Sequence, residues 1–184
     1  MQDEKNLIER AQKRDPEAFA QIYEAYFDRI YRYVAIRVGT QTEAEDLTQQ
    51  VFLNALESIP SYRWKGAPFA AWLFRIAHNQ VIDHYRRFSR VQMTALEMPV
   101  ATHDPDPVDM IEQEMDIERI RGAIGALTDL QQEVISLRFV GELSTAETAK
   151  IMGKNEGAVK ALQHSALGAL KRALSGGRDN GKEV

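Results

Sequence analysis

Helical periodicity extends along almost the whole chain, and this feature limits the possible folds most. Apolar residues recur three and four positions apart, the spacing that collects them on one face of an α-helix, and no stretch shows the sustained alternation of a β-strand. The length of 184 residues suffices for one ordinary domain or two small ones. The pattern predicts an all-α protein.

The first half of the chain predicts three helices. Asp15, followed by a proline, is typical of an N-cap, and the apolar pattern after it ends at Gly39. Thr42 and Glu45 form a capping box that is predicted to open the second helix. Its core side is predicted to contain Leu47, Val51, Ala55 and Leu56. The third helix is predicted over about 68–88, with a buried stripe of Phe69, Leu73, Ile76, Ala77 and Gln80 or Val81.

A proline-rich acidic segment then interrupts the helical pattern. Eight acidic residues and no Lys or Arg lie between Glu97 and Glu118. Such a segment is too polar to build a core. We therefore predict two small helical domains, over residues 1–91 and 113–175, joined by a flexible acidic linker over 92–112 and followed by a disordered tail over 176–184. The acidity of the linker either imitates nucleic acid or only solvates a spacer.

The segment from Ser144 to Leu174 predicts a helix-turn-helix. Capping boxes at Thr128 and Ser144 open two short helices, and Gly153 separates the second of them from a longer helix. The core stripe of the longer helix is predicted to be Val159, Leu162, Ala166 or Leu167, and Leu170. The opposite face and the turn carry the candidate DNA-binding residues Lys154, Asn155, Lys160, Ala161, His164, Ser165 and Lys171. A plain pair of packed helices with solvated lysines is the alternative.

Basic residues are concentrated in two segments, although the net charge of the chain is −4. Six basic residues and one acidic residue lie between Arg63 and Arg90, and five basic residues and one acidic residue lie between Lys150 and Arg172. The acidic segment separates them. This distribution is typical of a protein with two phosphate-binding sites, the alternative being charges scattered over solvated faces.

Several classes of protein are disfavoured by composition. The chain has no cysteine, which excludes disulfide frameworks and cysteine-based zinc sites. The polar N-terminus lacks the apolar segment of a secretion signal, and no apolar run approaches the ~20 residues that span a bilayer. We expect a cytoplasmic protein without membrane insertion. Histidines and aspartates within 103–109 and 78–84 could be drawn as metal sites, but the first group lies in the linker and the second spreads around a helix. We expect no metal, no cofactor and no enzymatic activity.

Three segments resemble the sigma-70 family of RNA polymerase sigma factors, in particular its short extracytoplasmic-function group. Residues 44–56 (AEDLTQQVFLNAL) are similar to region 2.2, residues 69–87 to regions 2.3 and 2.4, and residues 127–174 to region 4. The resemblance implies a protein that binds core RNA polymerase, recognises the −10 and −35 promoter elements and opens the DNA. The alternative is a helix-turn-helix regulator that binds an operator without polymerase, which leaves the block at 42–87 unexplained.

The resemblance implies a role for region 2.2 in binding the polymerase. Docking on the clamp helices of the largest subunit is implied for Glu45, Asp46, Gln49 and Gln50. The family usually has an acid where this chain has Gln50, so we expect that contact to be weaker. Asp46 is alternatively an acid in the first helical turn that interacts favourably with the helix dipole. The polymerase flap and an anti-sigma factor are further implied partners.

Promoter DNA is the other implied partner. Regions 2.3 and 2.4 imply capture and melting of the −10 element by Arg63, Trp64, Lys65, Arg75, Asn79, Asp83, Arg86 and Arg87. Trp72 either packs in the core or contacts a base. Region 4 implies reading of the −35 element by the helix-turn-helix face described above. The family often carries several arginines there, whereas this chain has few, so we expect weak −35 binding.

Overall fold

A computed structural model describes residues 2–38, 40–64, 67–94, 120 and 122–176 of the chain. Within these ranges the secondary structure consists of helices and turns, with no β-strand. The prediction of an all-α fold is therefore confirmed. The chain divides into two compact units, Met1–Ala101 and Thr102–Val184, called the first and second units below.

The first unit contains the helices α1 (Gln2–Gln12), α2 (Pro16–Arg37), α3 (Gln41–Ser58) and α4 (Phe69–Thr94), with a 3-10 turn at Ile59–Ser61. Helix α2 packs against the other three helices, and α3 also packs against α4. The predicted cap at the start of α2 is confirmed, because Asp15 Oδ1 accepts hydrogen bonds from the backbone N–H groups of Glu17 (3.0 Å) and Ala18 (3.2 Å). A hydrogen bond from Arg10, together with these backbone bonds, lowers the pKa of the Asp15 carboxyl group.

Helix α3 begins two residues earlier than its predicted capping box. The N-cap is Thr40, whose Oγ1 accepts from the backbone N–H of Glu43 at 3.2 Å, so the predicted Thr42–Glu45 box is wrong. Glu45 Oε1 instead accepts a hydrogen bond from Gln41 Nε2 at 2.8 Å. The chain offers Thr-x-x-Glu at both positions, and the earlier start gives the longer hydrogen-bonded helix.

The core of the first unit is rich in aromatic side chains. Tyr33 and Phe74 are fully buried and meet edge to face with ring centroids 5.5 Å apart. Four members of the predicted α4 stripe are buried, namely Phe69, Leu73, Ala77 and Val81. Ile76 is only partly buried, and Phe74 occupies the core where the prediction placed Ile76. Phe74 lies between Leu73 and Ala77 on the wide apolar face of a helix that is covered by both α2 and α3.

The second unit contains α5 (Asp129–Ile135), a π-helical turn (Ser136–Val140), α6 (Thr145–Met152) and α7 (Glu156–Gly176). Both predicted capping boxes are present, at Thr128 with Gln131 and at Ser144 with Glu147. Gly153 ends α6 with φ of 62°, a left-handed conformation that glycine adopts without steric cost. The helix-turn-helix prediction is confirmed as a backbone arrangement.

The core stripe of α7 also follows the predicted spacing. Val159 and Ala166 are fully buried against α5 and α6, and Leu162 and Leu170 are partly buried beside them. Leu167 is 43% exposed, so Ala166 is the core residue of the two alternatives.

Candidate polymerase and promoter interfaces

Helix α3 presents a mixed polar and apolar stripe on its exposed side. Asp46, Gln49, Leu53 and Leu56 follow one another at spacings of three and four residues, and all four side chains are exposed. Glu45 and Gln50 are also exposed and flank this stripe, which we call the α3 stripe. All four residues predicted to bind the polymerase are therefore on the accessible side of one helix.

Two apolar residues of the α3 stripe were not predicted as site residues. Leu53 is 53% exposed and Leu56 is 45% exposed, so the assignment of Leu56 to the core side is wrong. Phe52 takes that place: it is 4% exposed and its ring lies 4.6 Å from the ring of Tyr23 on α2. Two exposed leucines on one helix face add apolar area that a partner protein can cover on binding.

The polar side chains of the α3 stripe and those that flank it differ in their hydrogen bonds. Gln50 Nε2 donates to Asn54 Oδ1 at 2.9 Å, and Glu45 accepts from Gln41. Within the described ranges, Asp46 and Gln49 have no intramolecular side-chain hydrogen bond and are free to bind a partner. Because α3 begins at Gln41, Asp46 lies beyond the first turn, where Glu43 is the acidic residue. The helix-dipole explanation of Asp46 is therefore wrong.

The candidate −10 residues lie on α4 and on the loop that precedes it. Arg75, Asn79 and Arg87 are exposed on α4. Asp83 Oδ1 lies 3.6 Å from Arg86 Nη1, and both side chains are largely exposed. Residues 72, 75, 79, 83 and 86 follow one another at spacings of three and four, so the stripe they form runs along one side of α4.

Packing of Tyr62 joins the loop to α4. The Tyr62 ring is buried and lies 5.1 Å from the Trp72 ring, 5.4 Å from Phe69 and 6.4 Å from Trp64. Trp64 itself is 42% exposed, and Arg63 Nη1 donates to the Tyr62 carbonyl at 3.2 Å. Burial raises the pKa of the Tyr62 hydroxyl, and the nearby Glu4 carboxylate raises it further.

Two further residues bear on the predicted −10 surface, namely Trp72 and Lys65. The Trp72 ring packs against Phe69 as well as Tyr62 and remains half-buried. The structure thus confirms packing for Trp72, while a contact with a base stays a prediction. Lys65 lies outside the described residues.

The candidate −35 residues follow the exposed side of α7. Lys160, Ala161, His164, Ser165 and Lys171 are all exposed, as the spacing predicts. Lys154, in the turn before α7, is half-buried. Asn155 caps α7, since its Oδ1 accepts from the backbone N–H of Ala158 at 2.8 Å.

Contacts within the second unit fix part of this face. Ser165 Oγ lies 3.0 Å from Gln131 Nε2, so Ser165 is tied to α5 and stands at the edge of the exposed face. Arg172, which we did not predict as a site residue, is exposed one turn beyond Gly168. A Cβ on Gly168 would lie 3.5 Å from Arg172 Nη1, so the guanidinium lies back along the helix beside Gly168. Spacing from Ala161 and Ser165, which lie eleven and seven residues earlier, could have identified Arg172.

The alternative metal site on α4 is not assembled. Among the residues that the structure places, no three histidine, aspartate or glutamate side chains come together as a metal-binding group. His84 Nε2 lies 3.6 Å from Glu43 Oε1 on α3 rather than beside Asp83 and His78. The other proposed group, within 103–109, lies outside the described residues. In the described ranges no helix has both the length and the apolar content required to cross a bilayer.

Comparison with known proteins gives two family matches. Residues 22–91 match the family described as Sigma-70 region 2, and residues 123–172 match Sigma-70, region 4. The ECF RNA polymerase sigma factor BldN of Streptomyces coelicolor is 43% identical over 91% of this chain, and the chain covers 64% of the length of that relative. The ECF RNA polymerase sigma factor SigD of Mycobacterium tuberculosis is 33% identical over 90% of this chain and 81% of its own length.

Solved structures include a chain with the same fold. A co-crystal structure of the sigma factor RpoE with the anti-sigma factor NepR from Bartonella quintana matches 85% of this chain and 96% of that chain, with a TM-score of 0.69 at 23% identity. Sigma factors are initiation factors and not enzymes, so the relatives confirm the prediction of a non-enzymatic protein. They also decide against a lone operator-binding regulator. The chain belongs to the sigma-70 family of RNA polymerase sigma factors, in its extracytoplasmic-function group.

Proposed function

We propose that this chain binds core RNA polymerase, directs it to promoters that carry −10 and −35 elements, and opens the DNA. The observation that carries the proposal is that one chain presents three surfaces. The α3 stripe suits protein binding, and two basic faces suit DNA, one on the loop and outer side of α4 and one on the exposed side of α7. A lone regulator needs only the last of these. We assign polymerase binding and melting of the −10 element to residues 1–91 and recognition of the −35 element to residues 113–175. Residues 92–112 are the proposed linker, and 176–184 are the tail.

The α3 stripe is the proposed polymerase-binding surface. Asp46 and Gln49 are exposed and unengaged, which suits charge-assisted hydrogen bonds to a basic partner helix. Leu53 and Leu56 add apolar area that would be covered on binding. Glu45 and Gln50 already bond to neighbours on α3, so we assign them a smaller share of the binding energy.

Melting of the −10 element is assigned to the loop and α4. Separated strands expose unstacked bases, and proteins bind these with aromatic platforms beside cationic side chains. Trp64 offers an exposed aromatic face, and Arg75, Arg86 and Arg87 offer cations along α4. Asn79 and Asp83 can hydrogen-bond to a displaced base. Arg63 and Lys65 extend the positive charge along the loop.

Reading of the −35 element is assigned to α7. Lys160 and Lys171 supply phosphate or guanine contacts, and Ala161, His164 and Ser165 lie between them along the face, with Lys154 and Asn155 at its start. Few of these side chains can make two hydrogen bonds to a base, so we expect weak binding by this unit alone. Attachment to the polymerase compensates, because a tethered site acts at a high effective concentration.

The remaining partners follow from the assigned activity. Core polymerase works in the cytoplasm, so the chain is proposed to act there, with the polymerase flap as the contact of its second unit. The relative from Bartonella quintana was crystallised with an anti-sigma factor, and we propose a comparable inhibitor for this chain. No cofactor is required by any step.

Co-elution with core polymerase in size-exclusion chromatography tests the proposal. The purified chain should shift to the elution volume of the polymerase at micromolar concentration and in the absence of DNA. A chain that bound a specific operator but stayed at its own elution volume would contradict the proposal and support an independent regulator. A matched run with Asp46→Arg, which reverses the charge of the α3 stripe, shows whether the complex uses this surface.

A further inference from the structure

Helix α1 turns one stripe of side chains toward the start of the loop that precedes α4. Glu4, Ile8 and Gln12 recur every four residues and Ala11 follows Ile8 by three, so the four residues share a face of the helix. Ile8 and Ala11 are 3% and 1% exposed, and α1 contacts both α2 and the 3-10 turn Ile59–Ser61. The apolar pair thus seats α1 against the segment from which the loop departs.

Gln12 fixes the backbone where the loop begins. Its Nε2 donates to the carbonyl oxygen of Tyr62 at 2.7 Å, across 50 positions of sequence. The same carbonyl accepts from Arg63 Nη1 at 3.2 Å, and the Tyr62 N–H donates to the Ile59 carbonyl at 3.0 Å. The peptide group that follows Tyr62 leads directly to Arg63 and Trp64, so its orientation decides where these two side chains point.

A second polar contact of α1 secures the same region. Glu4 Oε1 accepts a hydrogen bond from the Tyr26 hydroxyl at 2.7 Å, which ties the start of α1 to α2. The Tyr26 ring in turn lies 5.7 Å from Phe69, one of the rings against which Tyr62 packs. Glu4 and Gln12 therefore hold α1 at both of its ends around Tyr62.

We propose that Gln12 is a positioning residue for −10 recognition, holding the Tyr62 backbone so that Arg63 and Trp64 stand beside the exposed stripe of α4. The inference rests on the proposed function of promoter opening. A loop that is ordered before binding pays less conformational entropy when it captures an unpaired base, so loss of this hydrogen bond weakens capture without any change in the groups that touch DNA.

Three variants of the full chain, each assembled with core polymerase, test the proposal. Gln12→Glu keeps the shape of the side chain but removes the donor, whereas Gln12→Lys keeps a donor. Gln21→Glu makes the same charge change at an exposed position on α2 and is the matched control. The probes are a fork-junction DNA with the single-stranded non-template −10 segment of a promoter mapped from wild-type transcripts, and a duplex with its −35 element alone.

Gln12→Glu is expected to bind the fork junction about fivefold to tenfold more weakly than the wild type, the size of one lost hydrogen bond. Its binding to the −35 duplex and its co-elution with polymerase should match those of Gln21→Glu. Its unfolding temperature should fall by about 4–8 °C, because the free chain also loses this hydrogen bond. Gln12→Lys should stay within about twofold of the wild type on the fork junction.

Two results would overturn the positioning role. One is fork-junction binding by Gln12→Glu equal to that of Gln21→Glu. The other is an equal loss on the fork junction and the −35 duplex, since that pattern indicates general destabilisation. Both presuppose a wild-type chain that starts transcription with core polymerase; if it did not, the proposed function itself would fail, and the inference would fail with it.

Discussion

The two units carry their candidate DNA-binding residues in different ways. In the second unit one helix, α7, presents the face from Lys160 to Lys171 while its opposite side packs in the core. In the first unit the candidate −10 surface combines a loop and α4, and the buried Tyr62 ring joins the two. A face on a single helix follows from spacing alone, whereas a surface built from two segments depends on tertiary packing.

The two units are also stabilised differently. The second unit has a small aliphatic core together with the capping boxes at Thr128 and Ser144 and the left-handed Gly153. The first unit relies on aromatic contacts between helices, such as Tyr33 with Phe74 and Tyr23 with Phe52. We therefore expect changes on the exposed faces to affect DNA or polymerase binding, and changes at these stabilising contacts to affect only stability.

The largest effect is expected on the surface assembled from two segments. Replacing both Arg86 and Arg87 with alanine should abolish promoter opening, reducing open complexes more than about thirtyfold, because two exposed cations are lost and Asp83 is left unpaired beside the DNA. Permanganate footprinting of the −10 segment measures this. The pair Lys13→Ala and Arg32→Ala, which removes the same charge from exposed positions of the first unit, should leave opening unchanged. Full opening by the Arg86/Arg87 variant would show that α4 is not the melting surface.

A smaller effect is expected from the α3 stripe. Asp46→Arg should weaken polymerase binding about tenfold or more, since it replaces an exposed attractive charge with a repulsive one at an interface. Titration of labelled chain into core polymerase gives the affinity. Asp28→Arg makes the same reversal at an exposed position on α2 and should behave as the wild type. Equal binding by the two variants would remove α3 from the docking surface.

On the single-helix surface we expect smaller, independent losses. Lys160→Ala and Lys171→Ala should each weaken binding of the reconstituted holoenzyme to a −35 duplex a few-fold, about equally on matched and mismatched sequences, if both lysines contact phosphates. The dependence of log affinity on log salt should then fall by about 0.9 for each. Lys13→Ala in the first unit is the control. A loss confined to the matched sequence would instead assign that lysine to a base.

The smallest effect concerns stability of the second unit. Gly153→Ala should lower its unfolding temperature by about 4–8 °C, because an L-residue is strained at φ of 62° although no atom lies within 4 Å of the added Cβ. Gly125→Ala also meets no atom within 4 Å, and Gly125 does not have a left-handed φ, so it serves as the control and should be neutral or slightly stabilising. Calorimetry of the full chain measures both. An unchanged unfolding temperature for Gly153→Ala would show that this turn adapts without strain.

Sequence reasoning succeeded where the determinant is local. The caps at Asp15, Thr128 and Ser144 and the exposed face of α7 all follow from residues within one or two turns of each other. It failed where two neighbouring capping boxes could each begin the same helix. The chain carries Thr-x-x-Glu at Thr40 and at Thr42, and only the folded packing of α3 selects the first.

Packing between helices was the second source of error. Phe52 and Leu56 lie one turn apart, and the spacing of α3 alone does not show that Phe52 meets Tyr23 while Leu56 stays in solvent. The Gln12–Tyr62 hydrogen bond joins positions 50 residues apart and has no local signal at all. Arg172 is different, because its spacing of eleven residues from Ala161 and seven from Ser165 was available in the sequence.

Transcription reconstituted from purified parts tests the central claim most directly. Core polymerase, which alone lacks promoter specificity, is mixed with this chain and genomic DNA of the source organism, and the transcripts are sequenced. The account predicts discrete new start sites that share upstream −10 and −35 sequences and that disappear with the Arg86/Arg87 double variant. Transcripts identical with and without the wild-type chain would contradict it.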